Sequence, residues 1–262
     1  MNCSNCSSPL PPEALVCPAC GTSTLAEPAR PVSLESVRTL GVTLQIMLAA
    51  CLALAVADAV LAAVMAWSFG VDDSLSSDMA AAPVIYTVAA GVVGLGYALA
   101  IVTSAVLFII WMFRARHNAE VLCKARHRRA RGWIIAGWIV PIVSLWFPKQ
   151  LIDDIWLASD PSTPPERATV QGLPRPPLVF AWWVSLLVST GFDQIAFRIW
   201  MDESVDAQKL STTLGLVSAP LFVLAGILAI LVVGRITTFQ VQRGSDATDW
   251  RTGSPPIAQP TS

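Results

Sequence analysis

The chain has 262 residues, of which 54% are hydrophobic and only 13% charged, with a mean hydropathy of +0.60. Soluble domains carry about 25% charged residues, so these values exclude an ordinary soluble domain and leave an integral membrane protein. The net charge of −1 says little as a sum; its distribution says more, because 7 of the 17 Lys and Arg fall between Arg114 and Arg131.

Residues 1–22 read MNCSNCSSPLPPEALVCPACGT. Cys3-x2-Cys6 and Cys17-x2-Cys20 form two CxxC knuckles ten residues apart. Four thiolates match the tetrahedral preference of zinc, and the spacing lets both sulfurs of a knuckle reach one metal. So short a segment cannot bury a core, so bound zinc is expected to supply its folding free energy. The segment resembles the small zinc-ribbon modules of bacterial proteins. The competing readings are a pair of disulfides, which a reducing cytoplasm disfavours, or a redox dithiol. With all four thiolates used, no coordination position is left for catalysis. The first apolar run begins near Leu40, behind these cysteines, so no secretory signal is expected and the N-terminus is expected to stay cytoplasmic.

Residues 23–38 are a polar linker stiffened by Pro28 and Pro31. A helical membrane domain is expected over 39–240. Apolar segments at about 39–69, 83–113, 177–200 and 214–234 are each long enough to cross a bilayer, which needs about 20 residues. Ala55, Ala59 and Ala63, and Gly96, Ala100 and Ser104, place small residues at a spacing of four, which can let helix backbones approach closely. Residues 241–262 are polar and contain three prolines, and a disordered tail is expected there.

The basic segment carries Arg114, Arg116, Lys124, Arg126, Arg128, Arg129 and Arg131. Ala115, Ala119 and Leu122 share a helical face, so the second span is expected to continue as a helix at the membrane surface. The segment reads as a topogenic signal with anionic lipid as a further partner; nucleic acid is the weakest of the readings. His117 and His127 are expected to be solvated.

A fifth apolar segment, Gly132–Phe147, has only 16 residues. As a helix it reaches about 24 Å, short of a hydrocarbon core of about 30 Å, and Pro141 would kink it. If it crosses, 10 Lys and Arg lie inside and 6 outside; if it re-enters, 15 lie inside and only Lys209 outside. Cytoplasmic loops are enriched in Lys and Arg, so the count favours four spans plus a re-entrant segment over five spans. The next stretch puts Leu151, Ile152, Ile155 and Trp156 on one helical face and Asp153 and Asp154 on the other, as in an interfacial amphipathic helix. Within the spans, Asp58, Asp193 and Arg198 are costly in hydrocarbon. Equal depth makes an Asp58–Arg198 bridge one expectation, and a proton- or ion-linked site at Asp58 another.

Arg114, Ala115, Arg116, Asn118 and Ala119 open a pattern that continues through Trp133, Trp138, Pro141, Leu145, Trp146, Pro148, Asp154, Ile155 and Trp156 to Trp182 and Trp183. It resembles a bacterial membrane family called domain of unknown function 4328, over roughly residues 38–240. The resemblance implies a multi-pass cell-membrane protein and no particular activity.

The fold expected is therefore all-α, with four long spans, one short re-entrant or fifth span and a small zinc ribbon. The role expected is a non-enzymatic adaptor or regulatory anchor that presents the ribbon to an unidentified cytoplasmic protein. The alternatives are a transporter or channel component using Asp58, and a membrane enzyme. No HExxH, GxSxG or Walker A pattern supports the last.

Overall fold

The structure is a computed structural model that describes residues 8–9, 34–69, 82–201 and 204–252. The Cys3, Cys6, Cys17 and Cys20 knuckles, most of the linker, the acidic connection after α1 and the end of the tail lie outside the described residues. The chain divides into two compact units at Leu34 and Glu35, and the second carries everything that follows.

Its described residues form helices and no named strand; a single parallel bridge joins Arg126 to Thr169. The helices are α1 (Arg38–Phe69), α2 (Ala82–Leu122), α3 (Trp133–Ile139), α4 (Phe147–Ser159), α5 (Pro177–Trp200) and α6 (Val205–Thr252), with a 3-10 turn at Val143–Leu145. Four of them, α1, α2, α5 and α6, are long and apolar enough to cross a membrane. In hydrocarbon every backbone polar group needs an internal partner, which a helix supplies along its whole length.

The long helices run up and down. Gly41 faces Thr237 and Gly234 faces Gln45, so α1 and α6 are antiparallel. Gly96 lies against Leu54 while Asn118 bonds Glu35 just ahead of α1, so α1 and α2 are antiparallel as well. Asp193 meets Ser218 and Ala196 meets Ser211, which makes α5 and α6 antiparallel. The start of α1, the end of α2, the start of α5 and the C-terminal half of α6 therefore gather at one end.

α1 and α6 approach closely at the glycines of α6, not through the spaced small residues Ala55, Ala59 and Ala63. A Cβ at Gly234 would lie 2.6 Å from Gln45 Nε2, and one at Gly226 would overlap the Leu52 side chain. Gln45 Nε2 uses that space to donate to the Ile230 carbonyl at 3.1 Å. The expected spacing is better placed in α2, where Ala100 and Ser104 are buried.

Two helices outrun the bilayer. α2 has 41 residues and α6 has 48, or about 60 and 70 Å. α6 continues through residues 241–252, where a disordered tail was expected. Its reach is explained by what it buries: Val233, Ile236 and Gln240 are almost fully enclosed, and Arg243 is anchored to the end of α4.

Residues 132–147 double back. A straight helix would separate Trp133 from Phe147 by about 21 Å; their ring centroids lie 4.7 Å apart. α3 has only seven residues. Val140 is extended, as the residue before a proline prefers, and Pro141 turns the chain. Trp183 Nε1 donates to the Leu145 carbonyl at 2.9 Å and fastens the return arm to α5. Trp138 packs edge-on against Phe108 of α2 and Trp183 of α5. The tip stays apolar and uncovered, with Ile139 71% and Ile142 70% exposed.

Candidate functional site

Among the described residues, burial concentrates in a polar-cored head at the gathered end. α4 is its axis, and here the structure corrects the sequence reading. The helix does not lie with its acids facing solvent: ten of its 13 residues are buried, Asp153 and Asp154 completely. Burying a carboxylate is tolerated when it is paired and hydrogen-bonded, and Arg128 supplies that partner. Its backbone N–H donates to Asp154 Oδ2 at 2.8 Å, its Nε to Asp154 Oδ1 at 2.7 Å and its Nη2 to the Gln150 carbonyl. Lys149 Nζ reaches Asp153 Oδ2 at 2.7 Å. Burial pushes the Asp154 carboxyl up, against the opposing pull of the Arg128 backbone and guanidinium donors.

A second buried network joins α2, α4 and α6 to the start of the bundle. Gln240 Nε2 donates to the Ala115 carbonyl at 2.7 Å and to Ser159 Oγ at 2.8 Å. Gln240 Oε1 accepts from Asn118 Nδ2 at 3.2 Å. The same Nδ2 donates to the Glu35 carbonyl and Asn118 Oδ1 accepts from the Glu35 N–H, both at 2.9 Å. Asn118 thus clasps one residue of the chain immediately before α1, and Arg114 reinforces it through the Ser36 carbonyl. Nearby, Trp111 Nε1 donates to Thr237 Oγ1. Arg243 donates to the Ala158, Asp160 and Thr163 carbonyls, satisfying groups at the C-terminal end of α4.

The basic segment is built into this head and is only partly solvated. Arg116 is 4% exposed, bonded to Glu120 at 2.6 Å and to the Arg129 carbonyl. Arg131 also pairs with Glu120, Lys124 with Glu166 and Arg114 with Glu35. Arg129 lies 3.8 Å over the Phe147 ring and donates to Gln150. Arg126 bridges to Thr169 through its backbone, and its side chain makes no ion pair among the described residues. His117 is half-buried. His127 departs from the solvated expectation: both ring nitrogens are buried without a partner, and burial next to Arg116 brings its pKa down to about 4.

The intramembrane acids behave differently from expectation. No Asp58–Arg198 pair forms among the described residues. α6 packs between α1 and α5 and holds them apart, and Arg198 lies on an exposed face. Asp58 instead lines a cavity of about 730 Å³ with Asp193, Tyr97, Ser218 and Pro220. Ser218 Oγ donates to Asp193 Oδ1 at 2.6 Å. Among the described residues no group of three His, Cys, Asp or Glu could hold a metal ion.

The family model Domain of unknown function (DUF4328) matches residues 71–238. The chain belongs to that family. The match begins in the connection ahead of α2, so α1 falls outside it. No curated protein and no solved structure matches the chain. The residues that carry the family pattern fall in the head and the doubled-back segment. Asn118 clasps Glu35, Trp133 and Trp138 pack the hairpin, and Pro141 makes its turn. Pro148 is buried at the start of α4, Asp154 holds Arg128, and Trp156 packs on Phe239 of α6. Trp182 and Trp183 close the contact with α5; Leu145 and Trp146 are exposed at the return of the hairpin. Sequence reasoning missed Gln240, Ser159, Arg243 and Glu35. Gln240 had a usable signal, since Val233, Ile236 and Gln240 share one helical face.

Proposed function

We propose that the protein is a non-enzymatic membrane adaptor of the bacterial cell membrane. Its N-terminal four-cysteine module binds structural zinc and is held at the cytoplasmic face for a protein partner. The observation that carries this reading is the Asn118 clasp on Glu35. The buried core of the head grips the chain immediately ahead of α1, on the side of the sequence that leads to the module. The donor set fits zinc, because four thiolates in two CxxC pairs complete a closed tetrahedral site. In this reading the doubled-back segment dips into the bilayer, and its exposed Ile139 and Ile142 meet lipid. The start of α1, the end of α6 and the head then share the cytoplasmic side, with anionic lipid alongside.

The test uses the full-length protein. Metal analysis is expected to find one zinc per chain, lost when Cys17 and Cys20 are both replaced by serine. Cross-linking in cells is expected to capture a partner that disappears with the same substitution. A zinc-free wild-type preparation removes the zinc reading, and an unchanged cross-linking pattern removes the adaptor.

A second reading, a transporter or channel component, draws on the cavity shared by Asp58 and Asp193. Carboxylates at membrane depth mark ion and proton paths. Its test is uptake or current in proteoliposomes that is lost in Asp58→Asn.

A further inference from the structure

Between the end of α2 and the start of α3 the chain folds around a cavity of about 520 Å³. Arg116 forms part of its wall, with Glu120 beside it; the rest comes from the loop Cys123–Arg131. The lining holds six basic side chains and a single acid, Glu120. Glu120 is shared between Arg116 and Arg131, Arg128 pairs with Asp154 and Lys124 with Glu166, which leaves Arg126 and Arg129 as the lining cations with no ion pair among the described residues.

Two features distinguish this cavity from a solvated basic surface. Arg116 is 4% exposed, yet its Nη1 has no hydrogen-bond partner. His127, from the opposite stretch of the lining, also buries both ring nitrogens without a partner. Buried donors are almost always satisfied, and a guanidinium nitrogen that is not calls for an explanation. The loop is also held in shape. Lys124 N–H donates to the Pro165 carbonyl, Arg126 N–H to the Ala168 carbonyl and Arg128 to Asp154. The donors are therefore positioned before any ligand arrives.

We propose that this cavity is a binding site for a phosphoryl group, carried either by a phospholipid headgroup or by a soluble phosphate. Arg116 and His127 contact its oxygens from within, and Arg126 and Lys124 close over it from the rim. A tetrahedral anion with several acceptor oxygens suits donors that converge from different sides, and guanidinium forks match phosphate oxygens in pairs. The position suits a headgroup, because the loop joins the end of a membrane-spanning helix to the hairpin. The proposal stands without the adaptor reading, since it concerns only the described head.

The test uses the full chain in phosphatidylcholine nanodiscs. Inorganic phosphate is titrated at constant ionic strength against chloride, and binding is followed by calorimetry. In parallel, nanodiscs containing phosphatidylglycerol are dissolved, and native mass spectrometry reads which lipid stays bound. Wild type is expected to bind at least one of the two. Arg126→Gln and His127→Gln are expected to bind about tenfold more weakly, the cost of losing about 1.4 kcal/mol of charge-assisted hydrogen bonding. Lys124→Gln, altering a side chain that is 74% exposed, is the variant whose folding is not at risk. Binding of both probes supports the shared phosphoryl chemistry. Phosphatidylglycerol alone assigns the headgroup, and phosphate alone assigns a soluble ligand. Binding of neither, or equal binding by the variants, overturns the site.

Discussion

Replacing Asn118 by alanine removes three hydrogen bonds at once, to the Glu35 N–H, the Glu35 carbonyl and Gln240 Oε1. The Glu35 groups sit at an exposed position and regain water, so their loss costs about 1 kcal/mol each. Gln240 is 1% exposed, and its stranded oxygen costs about 1–3 kcal/mol. The expected total is about 3–5 kcal/mol, large against the 5–15 kcal/mol of a folded domain. Two assays separate the contributions. Unfolding of the solubilised protein by a denaturing detergent reads the total, and hydrogen exchange at the Glu35 amide reads the clasp alone. In Asn118→Ala that amide is expected to lose its protection. In Asn118→Asp, which keeps the acceptor but not the donor, the amide stays protected while global stability falls. If Glu35 exchanges at the same rate in wild type and Asn118→Ala, the clasp does not hold the entering chain.

His127 makes the fold sensitive to acid. Its pKa in the folded head is about 4, below the ordinary value of about 6.5 in the unfolded chain. The folded state therefore resists protonation. Stability is full above pH about 6.5 and falls as pH drops towards 4, by up to about 3 kcal/mol. His127→Gln is expected to flatten this part of the curve, and a wild-type curve already flat there contradicts the buried-ring reading. Gly226→Ala forces a Cβ into the Leu52 side chain and is expected to cost about 1–3 kcal/mol. Gly94→Ala, where an added Cβ meets nothing, is the control; equal detergent resistance in the two would refute the α1–α6 packing.

Much of this architecture was readable from the amino acids because hydrophobic length is a strong signal. α5 falls on 177–200 as expected, and α1 starts within a residue of its expected position. The short length of 132–147, Pro141 and the charge count pointed to a return instead of a crossing. The head was much less legible. Alternation of apolar and acidic residues in α4 looks the same whether the acids face water or a buried arginine. Only the fold decides that Arg128, 26 positions before Asp154, is the partner. The extension of α6 past residue 240 was missed because a polar stretch reads as a tail unless its partners are known. Close packing was sought in unbroken runs of small residues four apart, whereas the space for Leu52 and Gln45 came from Gly226 and Gly234, eight apart with the large Ile230 between them.

The central claim is that the chain returns at Pro141, so that α1 begins and α6 ends on the same side of the membrane. Paired reporters, one active only in the cytoplasm and one only outside it, can be fused in turn ahead of Met1 and after Ser262. The account predicts that both ends activate the cytoplasmic reporter and neither activates the external one. An external signal from the C-terminal fusion with a cytoplasmic N-terminus would mean that residues 132–147 cross. The head could not then form as described.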